Sequence, residues 1–93
     1  LQAPLQGVYV AEVLGVADRA WPAVANVGTR PTVGEGFRAN LEVHLLDFDE
    51  QLYGKSITVC FREKIRDEKK FDGLDALKEQ IFKDISTAKA YFS

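Results

Sequence analysis

Hydrophobic and polar positions alternate along the first two-thirds of the chain, and the last third changes to steps of three and four. Gly7 to Val13 (Gly-Val-Tyr-Val-Ala-Glu-Val) is rich in β-branched residues and predicts a strand. Leu14 extends it by at most one residue before Gly15 loosens the backbone, and Ala17-Asp18-Arg19 reads as a turn. Trp21 to Val27 predicts the next strand, with Pro22 near its start, where a missing N–H is tolerated. Asn26 to Thr32 is then expected to leave the sheet, and Gly34-Glu35-Gly36 to form a flexible connection. Next, Leu41, Val43 and Leu45 point one way and Glu42 and His44 the other, before a polar turn at Asp47-Phe48-Asp49-Glu50. Ser56 to Ile65 alternates again, with Ile57, Val59 and Phe61 opposite Thr58, Cys60 and Arg62. About four strands with short links predict an antiparallel sheet or small barrel.

The end of the chain reads differently. Asp72 is the expected helix N-cap, and Asp75 favours the positive helix start. Leu74, Leu77, Ile81, Ile85, Ala88 and Phe92 form one apolar stripe, expected to pack on the outside of the barrel. No internal repeat or second domain is visible.

Composition narrows the function classes. Of 93 residues, 46% are hydrophobic and 28% charged, which argues against disorder. The net charge of −2 lacks the basic excess of a general nucleic-acid binder. No apolar run approaches the length of a membrane span, and no signal peptide is evident. A single cysteine, Cys60, excludes an internal disulfide and fits a reducing, cytoplasmic setting. The chain contains no methionine and opens close to a strand, so it is expected to be a piece of a longer polypeptide.

Several chemical motifs fail on inspection. Gly54-Lys55-Ser56 is the tail of a phosphate-binding loop, but Asp49 stands where the motif needs its first glycine. Gly54 is expected to shape a turn instead. Asp47, Asp49 and Gln51 resemble the first ligands of a calcium loop, but Leu52 stands where glycine is required. Cys60 reads as a small mid-strand residue rather than a nucleophile. His44 is the single histidine, which excludes a metal site built on several.

Two candidates remain. Glu42 and His44 stand side by side on one strand face, either as the polar outer face of a sheet or as a start for general-base chemistry. Asn26 to Thr32 packs an amide, a glycine, two hydroxyls, a guanidinium and a proline together. Gly28 would allow close approach to a ligand and Arg30 could grip an anion by two hydrogen bonds, unless the segment is a well-capped loop.

In order, Gly7-Val8-Tyr9, Val24 to Thr32, Glu42 to Phe48, Leu52 to Lys55 and Ile65 to Leu74 resemble the riboflavin kinase family. The resemblance is to the bacterial form, the C-terminal module of bifunctional riboflavin kinase/FAD synthetase. The segments cover nearly all of the chain. Each is weak alone, and the ordered set is specific.

The resemblance implies a mainly β fold, a six-stranded antiparallel Greek-key barrel with one C-terminal helix packed outside. It implies transfer of the ATP γ-phosphoryl group to the riboflavin 5′-hydroxyl, giving FMN, with Mg²⁺ accompanying ATP. Glu42 falls on the catalytic base. Arg66 to Phe71 falls on the loop that closes over the flavin, so Arg66 and Phe71 are expected to bind substrate. Asn26, Thr29 and Arg30 are expected near the active-site rim. An N-terminal FAD synthetase (adenylyltransferase) domain is the implied partner, with no nucleic acid or membrane. The family places a further strand and a Pro-Thr-Ala-Asn motif, which holds the metal and phosphates, before Gly7. Six residues precede Gly7 here, so residues 1–93 are expected to form an N-terminally incomplete domain with no metal ligands of its own. The alternative is a flavin- or nucleotide-binding barrel without phosphoryl transfer.

Overall fold

The computed structural model describes residues 6–31, 34 and 36–93; for residues 30, 31 and 37–39 it describes the backbone alone. Four strands are followed by one helix: β1 (Gly7–Leu14), β2 (Trp21–Pro31), β3 (Phe37–Leu45), β4 (Thr58–Arg66) and α1 (Leu74–Phe92). The sheet is antiparallel throughout, in the order β3-β2-β1-β4. Three consecutive strands lie side by side and the fourth returns beside the first, which is the Greek-key arrangement. The expected mainly β fold with a C-terminal helix is therefore present.

β1 lies inside the sheet because it is apolar on both faces. Val8 and Val10 face one way, Ala11 and Val13 the other, and all four are buried. One face builds a cluster of Val8, Val10, Val24, Leu46 and Ala88, with Ile65 and Ile85 against it. The other builds a cluster of Ala11, Val13, Val16, Ala23 and Ala25, closed by Trp21, Val43, Leu45, Phe48, Leu52, Val59 and Phe61. The segment after β3 is tied over this second face. Trp21 Nε1 donates to the Leu46 carbonyl at 2.8 Å, Leu46 N–H donates to the Pro22 carbonyl at 3.0 Å, and Phe48 meets the Trp21 ring edge-on at 5.3 Å. Gly54 does sit in a turn, closed by Lys55 N–H on the Leu52 carbonyl, with a φ of 75° that suits glycine.

Several boundaries differ from the sequence reading. β2 does not leave the sheet at Asn26. β3 pairs with it from Ala23↔Leu45 to Pro31↔Phe37, so the hairpin partner carries the strand on. Beyond Gly7↔Val27 the β2–β3 ribbon extends past its pairing with β1. Leu41, on the same face as the core residues Val43 and Leu45, is therefore 49% exposed opposite Val27. Ser56 and Ile57 precede β4 rather than belonging to it. Register shifts between β1 and β4 explain why Phe61 and Ile65, four residues apart, join opposite clusters. An unbroken strand would put both on one face, whereas a bulge rotates the strand between them. The helix is capped by Gly73 rather than Asp72: Gly73 is extended, and its carbonyl accepts the Leu77 N–H at 3.2 Å. Of the expected connection and rim, Thr32 and Glu35 lie outside the described residues.

Only part of the apolar stripe packs on the sheet. Ala88 is buried and Ile85 is half-buried, while Leu74 is 71% exposed. Among the described residues, no helix is long and apolar enough to cross a membrane.

Candidate active site

The register collects one patch on the helix-covered face of the sheet. Val8 pairs with Asn26, Asn26 with Glu42, and Val24 with His44. These side chains form one wall of a cavity of about 750 Å³. The opposite wall is the segment from Arg66 to Phe71 together with Leu77, Ile81, Asp84 and Ile85 of the helix. Leu77 and Ile81, stripe residues that do not fill the core, thus face this space. Its lining is apolar where Val8, Val24, Ile81 and Ile85 meet, with Asn26, Glu42 and His44 as polar groups on the sheet side. A mainly apolar pocket of this size with a few convergent polar groups suits a small organic ligand.

Asn26 Oδ1 is buried and has no hydrogen-bond partner among the described residues. Such an acceptor is costly to leave unpaired, so it favours a ligand that brings a donor. Gly28, the next residue on the same face of β2, lies beneath Glu68. A Cβ there would run into Glu68 Oε1, so glycine is what lets this loop side chain settle on the strand.

The loop is tied at its base. Arg66 Nη2 donates to Asp84 Oδ2 at 2.8 Å and its Nε lies at 3.1 Å from Oδ1. Asp84 is itself 4% exposed and also accepts from Gln80 Nε2 at 3.0 Å. Arg66 Nη1 donates to the Asp67 carbonyl at 3.1 Å. The Phe71 ring lies near two cations, Arg66 at 5.8 Å and Lys69 at 5.5 Å. On the loop's outer side, Lys64 Nζ lies 2.6 Å from Asp67 Oδ1. That hydrogen bond lowers the Asp67 pKa and raises that of Lys64.

Of the residues singled out from sequence, Glu42, Asn26, Arg66 and Phe71 line this one cavity. Thr29 does not line it, since alternation from Gly28 turns Thr29 to the opposite face of β2. The Arg30 side chain lies outside the described residues. Sequence reasoning passed over Glu68, Gln80 and Asp84. Asp84 did carry a signal: a carboxylate set among Ile81, Ile85 and Ala88 on an apolar stripe needs a buried partner.

A Greek-key sheet with a helix-roofed pocket, an apolar lining and a carboxylate on its wall defines a small-molecule-binding domain. The chain belongs to the riboflavin kinase family, whose model (Flavokinase: Riboflavin kinase) matches residues 1–92. It is 54% identical over 89 residues to the bifunctional riboflavin kinase/FMN adenylyltransferase of Escherichia coli K12, covering 96% of this chain and 28% of that protein. The Pseudomonas fluorescens protein of the same name is 48% identical over 87 residues, covering 94% of this chain and 28% of its own length. A crystal structure described as a macrolide-efflux protein from Streptococcus pneumoniae superposes with a TM-score of 0.84 at 33% identity, over 95% of this chain and 28% of that one. The chain thus spans little more than a quarter of the length of these relatives.

Proposed function

We propose that the cavity binds riboflavin and that the enzyme transfers the γ-phosphoryl group of ATP to the riboflavin 5′-hydroxyl, releasing FMN and ADP. What carries this reading is the convergence of Glu42, Asn26, Arg66 and Phe71 on one cavity in a chain of the riboflavin kinase family. The isoalloxazine ring would lie against Val8, Val24, Ile81 and Ile85, covered by Phe71. Asn26 Oδ1 would accept a hydrogen bond from a ring N–H or a ribityl hydroxyl. Thr29 and Arg30 stay in the substrate-binding set through the family resemblance, on the ribbon beyond β1.

Glu42 is the general base. A primary alcohol attacks poorly until a carboxylate orients it and takes its proton. The hydroxyl oxygen then bonds to the γ-phosphorus as the bond to the β-phosphate oxygen breaks, and the proton passes to Glu42. Mg²⁺ is expected with ATP. Among the described residues no group of three or more His, Cys, Asp or Glu side chains could hold a metal. The relatives join this activity to an adenylyltransferase in one chain, and such a domain is the proposed partner. A cytoplasmic setting fits the free thiol of Cys60.

The test is FMN formation by the full-length protein from riboflavin, ATP and Mg²⁺, followed by chromatography. Conversion of riboflavin to FMN, or onward to FAD by the adenylyltransferase domain, that depends on both riboflavin and ATP is expected. Riboflavin that quenches on binding yet is never phosphorylated would leave a binding module and overturn the kinase reading.

A further inference from the structure

We propose that Asp84 is a positioning residue for the flavin-binding loop, acting through Arg66; this rests on the riboflavin kinase reading above. The helix presents Leu77, Ile81 and Ile85 to the cavity, and within that apolar row it carries one buried carboxylate. Burying a charge is unfavourable, and an apolar residue of similar size often serves stability as well or better. A role in holding geometry accounts for the carboxylate better than a role in stability.

The geometry shows what is held. Asp84 fixes the guanidinium through Nε and Nη2, and Gln80 fixes Asp84 from one turn earlier. The remaining arm of the fork, Nη1, holds the first loop carbonyl, at Asp67. The same guanidinium lies over Phe71, the last residue of the loop wall. One planar group anchored on the helix therefore meets both ends of the segment that walls the cavity. Without Asp84, Arg66 is free to turn toward solvent and both ends lose their common support. Asp84 needs no contact with the flavin for this.

The test uses the full-length protein. Asp84→Asn keeps the size and the acceptor for Gln80 but loses the charge. We expect the riboflavin KM to rise about tenfold, with kcat and the ATP KM within about twofold. Arg66→Ala should raise the riboflavin KM too, and adding Asp84→Asn to it should cause no further change, because residues acting through one another are non-additive. Additive effects, or a uniform loss in kcat and both KM values with a lowered Tm, would overturn the proposal. If Asp84→Asn does not fold, Gln80→Ala gives the readout: a smaller rise in riboflavin KM supports the relay and an unchanged KM overturns it. Wild-type protein that binds riboflavin without making FMN would sink the kinase activity alone; the relay would then be read from the riboflavin Kd in the same variants. Wild-type protein that binds no riboflavin would overturn both.

Discussion

Gly28 on β2 lies directly under the carboxylate of Glu68, forty residues later in the chain, so that a methyl group at position 28 and the present Glu68 side chain cannot occupy the same space. This contact joins the tip of the cavity loop to the sheet, as the Arg66–Asp84 pair joins its base to the helix.

Gly28→Ala should therefore act on the loop more than on the fold. The clashing atoms are the far end of a flexible side chain, and Gly28 does not have the positive φ that resists alanine. We expect a Tm change within a few degrees but weaker riboflavin binding, as Glu68 is displaced. Glu68→Ala in the same protein should restore binding toward that of Glu68→Ala alone. Binding that falls equally with and without Glu68 would place the effect elsewhere.

Core and stripe substitutions should separate sharply. Val10 is fully buried, whereas Leu74 is largely exposed although it opens the helix stripe. Val10→Ala should cost about 2 kcal/mol. Leu74→Ala should stay within about 0.5 kcal/mol, as is usual for exposed sites. Urea midpoints measured at unchanged slope would check both. Similar shifts for the two would mean the N-terminal turn of the helix is covered in solution.

The Lys64–Asp67 pair should titrate in opposite directions. Lys64 hydrogen-bonds the Asp67 carboxylate and lowers its pKa below 3.8, so the associated stability is present above that value and is lost as pH falls through the folded pKa. The raised Lys64 pKa has the reverse sense: its contribution is present below 10.5 and is lost as pH rises through the folded value. In Lys64→Ala, NMR titration should show Asp67 moving up toward its ordinary value. An unmoved Asp67 would show that another group sets it.

What could be read from sequence follows the physics of each segment. β1 was legible because a run rich in β-branched residues favours a strand locally. The extension of β2 to Pro31 was not, because Gly28 and Pro31 are poor strand formers held in place by β3. Asp72 looked like the better cap, but the chain enters the helix at Gly73, and local preference cannot tell two adjacent polar or small residues apart. The stripe from Leu77 to Ile85 announced an inward face without saying whether core or cavity lay behind it. Glu42 and Asn26 were both noted, but their adjacency depends on strand register, which sequence spacing does not reveal.

That adjacency bears on the base. Glu42 stands opposite Asn26 and His44 opposite Val24, all on the cavity side of the sheet. Glu42→Gln keeps the size and an acceptor, so the substrate hydroxyl can still be placed beside Asn26. It cannot take the proton as the hydroxyl attacks. In the full-length enzyme, single-turnover FMN formation with both substrates saturating should fall about 10²–10⁴-fold, the usual range for loss of a general base. Riboflavin affinity, followed by flavin fluorescence, should change little. His44→Ala should cost less, because the neighbouring imidazole can orient the carboxylate without receiving the proton. If Glu42→Gln turns over like wild type while His44→Ala is inactive, the imidazole is the base and Glu42 is the residue that orients it.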